Sequence, residues 1–338
     1  MLNSNKKVAA IIFFILWILI GPREAAQAQE QKVSAHGFNK VRIEQEDRLA
    51  APVEKADELW NFMHEHFVKD TVAIRQLDPL FTSYYYEEDF TDTYFDTPAL
   101  EALAKQHGIR YRQRFNLSDP THRKSGRELM QIKMSDISGS GLERGEIKFE
   151  IEHPTKFNSP DDRHPMIGLV KPSLREDFKQ RLQEIGLDPY AMRPILTIRD
   201  RRTRIYILRD GKAFMSVSHD KAWSDLLWAR YEMVELEPEL NEIPFTEADS
   251  AGRAYMAEIG AKVSSQIKEK FPYLTQDLTP KYNRAFVSFE EQIPFLRLLI
   301  KTNMDKMDYL VGVGALSLGL LVGCVFLVKR SLSNKKSD

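Results

Sequence analysis

The sequence predicts an α+β protein: an antiparallel, eight-stranded β-barrel with a charged interior, covered by helices and followed by one transmembrane helix. Three observations predict it: many segments of alternating polarity, a few segments with helical spacing, and charges concentrated on one face of several strands. Of the 338 residues, 43% are hydrophobic, which is enough for a sizeable core. The net charge of -1 lacks the basic excess of a generic nucleic-acid binder, and a single cysteine excludes internal disulfides.

The N-terminus has the pattern of a secretory signal peptide. Two lysines precede an apolar run at residues 8–20, and Ala26-Gln27-Ala28 follows as a small-x-small cleavage site. We therefore expect residues 1–28 to be removed, with a retained N-terminal anchor as the alternative. The exported domain would then comprise residues 29–300.

The C-terminus carries a second apolar run at residues 309–328, and its twenty uncharged residues match one bilayer-spanning helix. Basic residues in the tail, 329–338, favour the cytoplasmic side. The predicted location is therefore the bacterial inner membrane, single-pass, with the domain on the periplasmic side. Gly319 and Gly323 form a small-xxx-small pair through which two such helices would pack as a homodimer.

Between these ends, alternation predicts strands and helical spacing predicts helices. The predicted strands are 40–48, 82–96, 109–115, 128–135, 143–152, 195–208, 213–220 and 228–237. The predicted helices are 53–67, 173–185 with Gly186 as its stop, and 254–271 before Pro272; a further helical stretch resumes over 281–304. So many strands with few helices indicate an antiparallel sheet or closed barrel.

The alternating strands carry an unusual concentration of charge. Residues on shared faces include Arg42, Glu44, Glu46 and Arg48; Arg110, Arg112 and Arg114; Arg199 and Arg201; and Glu235 and Glu237. Like charges two residues apart lie about 7 Å apart on one face and repel, so opposite charge is expected among them. An ordinary half-solvated sheet is the simple alternative. We favour inward charged faces that hold a polyanion and a divalent cation.

Short charged motifs also run in a fixed order along the chain. They are Glu44-Gln45-Glu46-Asp47-Arg48, Tyr94-Phe95-Asp96-Thr97, Arg112-Gln113-Arg114, Gln131-Ile132-Lys133, Asp220, Glu235-Leu236-Glu237 and Lys281-Tyr282-Asn283-Arg284. This ordered set resembles the CYTH, or triphosphate tunnel metalloenzyme, superfamily, with Arg48 in place of the lysine that ends its opening motif. The last segment resembles the polyphosphate-polymerase branch, the vacuolar transporter chaperone catalytic domain.

The resemblance implies a tunnel in which basic side chains grip a triphosphate or polyphosphate while carboxylates hold Mg²⁺ or Mn²⁺. The implied catalytic residues are Glu44, Glu46 and Arg48. The implied phosphate ligands are Arg112, Arg114, Lys133, Arg199, Arg201 and Lys281, and the implied metal ligands are Glu44, Glu46, Asp220, Glu235 and Glu237. Arg48 still binds phosphate, but it lacks the compact ammonium of lysine.

The predicted function is a membrane-tethered, metal-dependent triphosphate or polyphosphate phosphohydrolase or phosphotransferase, similar to a polyphosphate polymerase. Phosphoryl transfer spreads negative charge over oxygens, so positioned cations supply most of the catalysis. Two alternatives stay open. One is a non-catalytic polyphosphate- or polyanion-binding tunnel module on the cell envelope, and the other is a structural barrel whose ion pairs bind nothing.

Overall fold

The computed structural model describes residues 41–117, 128–136 and 143–303. Within them the strands are β1 (Arg42–Gln45), β2 (Leu49–Ala51), β3 (Phe81–Asp96), β4 (Gly108–Asn116), β5 (Glu128–Asp136), β6 (Glu143–Glu150), β7 (Arg193–Arg209), β8 (Lys212–Leu226), β9 (Ala229–Leu240) and β10 (Thr275–Gln276). They form one antiparallel sheet in the order β1-β6-β5-β4-β3-β7-β8-β9-β2-β10. The predicted α+β class and antiparallel sheet are confirmed.

The predicted signal peptide, membrane span and tail lie outside the described residues. Among those described, no helix combines the length and apolarity needed to cross a bilayer. The span at 309–328, the cleavage site after Ala28 and dimerisation through Gly319 and Gly323 therefore stay predictions.

The first strand segment contacts both edges of the curled sheet. β1 pairs with β6 from Arg42↔Glu146 onward, whereas β2 pairs with β9, and Glu46 bridges to Glu239 between the two pairings. This segment therefore brings the ends of the sheet order together. The structure has ten strands rather than the eight predicted. The first segment is divided at residues 46–48, and the two-residue β10 adds to β2.

The helices pack mainly on the outside of the sheet, whereas the helix at residues 281–292 packs against the inner face at one end. They are α1 (Ala56–His64), α2 (Val72–Leu77), α3 (Glu101–Ala104), α4 (Pro160–Arg163), α5 (Arg175–Glu184), α6 (Glu242–Glu247), α7 (Ser250–Lys270), α8 (Lys281–Gln292) and α9 (Leu296–Asn303). Asp249 caps α7 by accepting a hydrogen bond from the Gly252 amide at 2.8 Å. The predicted stretch over 281–304 is two helices, because Pro294 has no amide hydrogen and Phe295 turns the chain at φ 63°.

Three apolar clusters lie between the sheet and these helices. One packs α1, α2 and α7 on β7, β8 and β9, the second packs α8 and α9 on β7 and β9, and the third packs α5 on β4, β5 and β6. Fully buried side chains such as Phe67, Phe149 and Phe289 each contribute roughly 1.5–3 kcal/mol by leaving water. In the first and third clusters the apolar strand faces point outward to the helices, as predicted. The second cluster lies on the inner face, where Tyr94, Ile198 and Ala222 share the alternation of the charged residues and α8 packs against them.

Candidate functional site

The inner face of the sheet encloses a strongly charged cavity. Its empty volume is about 730 Å³, open solvent at its ends included. The lining contains ten cationic side chains, Arg48, Arg110, Arg112, Arg114, Lys133, Arg144, Lys148, Arg202, Arg204 and Lys281, and five carboxylates, Glu44, Glu46, Glu146, Glu237 and Glu239. This excess of cations suits a polyanion. The structure thus brings together eight of the predicted site residues here and places Asp220 and Glu235 beside them.

Asp92 holds two arginines in the cavity wall. Its carboxylate accepts two hydrogen bonds from Arg112, both at 2.7 Å, and one from Arg110 at 3.0 Å. The guanidinium of Arg112 lies 3.9 Å from the centroid of the Phe90 ring, which fixes its plane. Burial alone would raise the pKa of Asp92, but the two arginines outweigh it and lower the pKa to about 2. The strand therefore presents oriented guanidinium groups.

One end of the cavity is open, and partly exposed charges mark it. The side chains of Arg114, Lys148, Arg204 and Glu239 are 13–21% exposed there. Arg114 lies 3.7 Å from Glu88, and Arg204 lies 3.7 Å from Glu239, which is longer than a direct hydrogen bond. Among the described residues, neither arginine has a carboxylate at direct hydrogen-bond distance, although Arg204 Nε donates to Ser218 Oγ at 2.9 Å. Their remaining donors can turn to a phosphate.

Residues 277–284 lie across the other end. The carbonyl of Leu278 accepts hydrogen bonds from Arg48 at 3.1 Å and from Arg144 at 2.8 Å. The hydroxyl of Tyr282 donates to Asp96 at 3.0 Å, and its ring stacks on Tyr94 with centroids 5.1 Å apart. These contacts join β3, β6 and the segment between β1 and β2 to the start of α8 and the residues before it. We call this the covered end of the cavity.

Lys281 lies at the covered end among four carboxylates. Its Nζ donates to Asp220 and, at 3.2 Å, to Asp200; it also lies 3.2 Å from Glu235 and 3.4 Å from Glu237. Burial would lower the pKa of Lys281, but these carboxylates outweigh it and hold the pKa well above its usual range. Lys281 therefore remains an ammonium in a buried position.

The predicted metal ligands fall into two groups. Ligand oxygens of Asp220, Glu235 and Glu237 lie within 4.8 Å of one another, a spacing that could hold a metal ion. However, the Lys281 ammonium already lies among them, Arg202 pairs with Asp220 and Glu237, and Arg284 pairs with Glu235. The protein's own cations thus neutralise this group.

Glu44, Glu46 and Glu239 form a second group, although among the described residues only the first group has ligand oxygens within metal-binding distance of one another. Glu46 bridges to Glu239 between neighbouring strands, and Glu44 lies two residues along the same face. Burial, then the neighbouring carboxylates, raise the pKa of Glu44 to about 8, although Lys133 opposes this shift. Glu44 Oε2 lies 2.7 Å from Lys133 Nζ, and Glu46 pairs with Arg48, so cations of the protein also contact this group. Buried, mutually repelling carboxylate oxygens of this kind suit Mg²⁺ or Mn²⁺.

The assignment of Arg199 and Arg201 to the phosphate site is wrong. Both side chains are exposed on the outer face, where Arg201 pairs with Asp89 at 3.0 Å. The arginines that reach the cavity from β7 are Arg202 and Arg204. Arginines occur on both faces of this strand, so their spacing alone does not decide which pair points inward.

Sequence reasoning also missed Glu239, Arg110 and Arg144 as site residues. Glu239 continues the alternation of Glu235 and Glu237, and that continuation was the available signal. Arg110 shares a face with Arg112 and Arg114, yet it was not included among the phosphate ligands. Arg144 continues the alternation of Glu146 and Lys148 within the predicted strand 143–152, so the same signal was available for it.

The comparison with family models supports part of the resemblance. Residues 84–251 match the model described as the CYTH domain. The match begins within β3, so the strand segment that carries Glu44 and Glu46 lies outside the matched range. The fold nevertheless places both residues in the cavity wall. The polyphosphate-polymerase branch stays a prediction. No curated protein matches the chain.

The solved structures that match the chain are distant from it. A Pyrococcus horikoshii protein is 13% identical, with 74% of this chain and 98% of that chain covered and a TM-score of 0.38. A Hippeastrum protein, for which a dominant triphosphatase activity is described, is 15% identical, with coverages of 73% and 95% and a TM-score of 0.40. The Mimivirus capping enzyme triphosphatase is 11% identical, with coverages of 73% and 98% and a TM-score of 0.31.

Proposed function

We propose that this chain, in which residues 84–251 carry a CYTH domain, is a divalent-metal-dependent phosphoanhydride hydrolase. It removes the terminal phosphate of a triphosphate substrate. The observation that carries the proposal is the charged cavity, with its arginines loosely paired at one end and a carboxylate group suited to a metal inside. A structural barrel would instead pair its charges among themselves throughout.

The cavity residues divide the chemistry among them. Arg114 and Arg204 bind phosphate oxygens through their guanidinium groups, and Arg112, whose Nε and Nη2 are held by Asp92, offers its remaining Nη1. Lys133 lies beside Glu44 and adds a point charge on the opposite wall. A metal on Glu44, Glu46 and Glu239 would neutralise charge on the transferred phosphoryl group. Water then attacks the terminal phosphorus and the bridging oxygen leaves with the remaining phosphates.

The covered end favours a substrate that enters from one side and stops. Residues 277–284 lie where a polymer would have to leave, and Lys281 is held there by four carboxylates. This arrangement favours hydrolysis at chain ends over polymerase-like extension with passage of product. Long polyphosphate would therefore be shortened from its ends.

Phosphate release from defined substrates tests the proposal. The full-length chain in detergent, with Mg²⁺ or Mn²⁺, should release phosphate from tripolyphosphate and lose this activity when the metal is chelated. Long-chain polyphosphate should yield single phosphates while the mean chain length falls slowly. Absence of release from tripolyphosphate, a nucleoside triphosphate and polyphosphate alike would rule out the hydrolase.

A non-catalytic polyanion-binding module is the second candidate. It is favoured by the pairing of Glu46 with Arg48, which neutralises one of the metal ligands. Calorimetry distinguishes the two, because the module binds tripolyphosphate equally well with and without metal and releases no phosphate. An enzyme needs the metal for turnover.

The proposed location follows from the predicted ends of the chain. We propose a domain outside the cytoplasm, at the periplasmic side of a bacterial inner membrane, held by residues 309–328. Resistance of the full-length chain to alkaline extraction from membranes, with protease digestion of the domain in spheroplasts, tests it. Release by alkali would contradict the tether.

A further inference from the structure

Among the described residues, the most exposed apolar side chains lie beyond the covered end of the cavity. Phe295 is 78% exposed and Trp228 is 62% exposed, the two highest values among the large hydrophobic residues of the described chain, and Leu298 is 57% exposed. Trp228 Nε1 donates to the carbonyl of Gln292 at 3.4 Å, at the end of α8, and Phe295 follows at the corner before α9. We call Trp228, Phe295 and Leu298 the apolar corner.

The corner is a built feature of the fold. Phe295 adopts φ 63°, which costs a non-glycine residue on the order of 1 kcal/mol. On the other side of the corner, Ile293, Leu296 and Ile300 are buried in the cluster beneath α8 and α9. The core therefore holds the turn in place while Phe295 and Leu298 face solvent. Large apolar side chains that the fold holds exposed in one region are typical of a contact surface.

The corner lies beyond the covered end. Along β8, Ser216 and Ser218 lie toward the open end, and Asp220 contacts Lys281 at the covered end. The strand then continues for six residues to Leu226, about 20 Å farther, and Trp228 follows in the next turn. The apolar corner and the open end of the cavity are thus on opposite sides of the domain.

Chain continuity indicates what covers the corner. α9 ends at Asn303, and the apolar run of 309–328 begins after five further residues, which span roughly 20 Å at most. Lys301 is exposed on α9 near the same surface. Tryptophan and phenylalanine beside a cationic side chain suit the boundary between headgroups and acyl chains.

We propose that the apolar corner is seated in the membrane interface, so that the covered end faces the bilayer and the open end faces away from it. This rests on the predicted span at 309–328 and not on the proposed hydrolase activity. The membrane contact fixes the direction from which a triphosphate enters, which is the aqueous side.

Tryptophan quenching by brominated phospholipids tests this seating. The full-length chain is reconstituted in vesicles of phosphatidylcholine and phosphatidylglycerol with bromine on the acyl chains. We expect greater quenching of the wild type than of Trp228→Phe. When Phe295→Asn and Leu298→Gln are both present, chains with and without Trp228→Phe should be quenched equally. The Phe295→Asn/Leu298→Gln variant should keep its unfolding temperature and its phosphate release, because Asn tolerates the left-handed conformation at 295.

A matched control replaces exposed apolar residues elsewhere. Val72 and Phe157 are 57% and 56% exposed, and Val72→Gln/Phe157→Gln should leave the quenching unchanged. Equal quenching of the wild type and Trp228→Phe overturns the seating. Cross-linking between corners of two chains, or failure to bind vesicles at all, also overturns it.

Discussion

The Nζ of Lys281 lies 3.2 Å from Oδ2 of Asp200, and the two side chains are 8% and 1% exposed. This contact joins the first turn of α8 to the inner face of β7. Three more carboxylates surround the same ammonium, so Lys281 is the centre of the charge balance at the covered end.

Replacement of Lys281 by methionine should strongly destabilise the fold. The change keeps the length of the side chain but leaves Asp200, Asp220, Glu235 and Glu237 without their shared cation. Breaking a buried pair by removing one partner costs about 3–5 kcal/mol. Urea unfolding measures the loss. As the matched control, Lys262→Met removes an exposed lysine paired with Glu258 on α7 and should change the free energy of unfolding by less than about 1 kcal/mol.

Single substitutions at Glu44 and Glu46 should separate metal binding from stability. Glu44 lies among like charges, so Glu44→Gln relieves repulsion and should not destabilise the metal-free fold. Glu46 is paired with Arg48, so Glu46→Gln leaves a buried guanidinium and should cost about 3–5 kcal/mol. Both variants should lose phosphate release by orders of magnitude. Calorimetric Mn²⁺ binding by Glu44→Gln equal to that of the wild type would refute the metal assignment.

Arg204 and Arg201 offer a matched pair on one strand. Arg204→Gln removes a guanidinium that lines the cavity, and Arg201→Gln removes one that faces outward. Loss of one positioned donor to developing charge typically costs about 10²-fold in rate. We expect that loss in kcat/KM for tripolyphosphate with Arg204→Gln and nearly wild-type kinetics with Arg201→Gln. A larger loss with Arg201→Gln than with Arg204→Gln would instead indicate that the other face of β7 lines the cavity.

Asp92 should make stability depend on acid pH. Its pKa is about 2 in the folded chain against an ordinary value of 3.8, so its stabilising contribution is present above pH 3.8 and is lost as pH falls through 2. The full contribution is about 2 kcal/mol, and about half of it should be gone at pH 3. Asp92→Asn should lack this component. Urea unfolding at pH 5, 4 and 3 gives the free energy of unfolding of the two proteins. A difference between them that does not change with pH would contradict the lowered pKa of Asp92.

Much of the site could be predicted because strand alternation is a local property. The faces carrying Glu44 with Glu46, and Arg112 with Arg114, follow directly from a two-residue period. The β7 arginines could not be placed in this way, because Arg199, Arg201, Arg202 and Arg204 occupy both faces. Ile205 and Ile207 are buried under the helices, so the odd-numbered residues of this part of β7 face outward. Arg202 and Arg204 therefore face inward.

By itself, the sequence determined the elements, the charged inner faces and the order of the motifs, because polarity patterns and local propensities act over a few residues. Only the tertiary structure decided which charges meet. Lys281 is separated from Asp200 by 81 residues, and Glu46 meets Glu239 through a strand that contacts both edges of the sheet. Such encounters depend on curvature and register accumulated over the whole sheet, which no local pattern specifies.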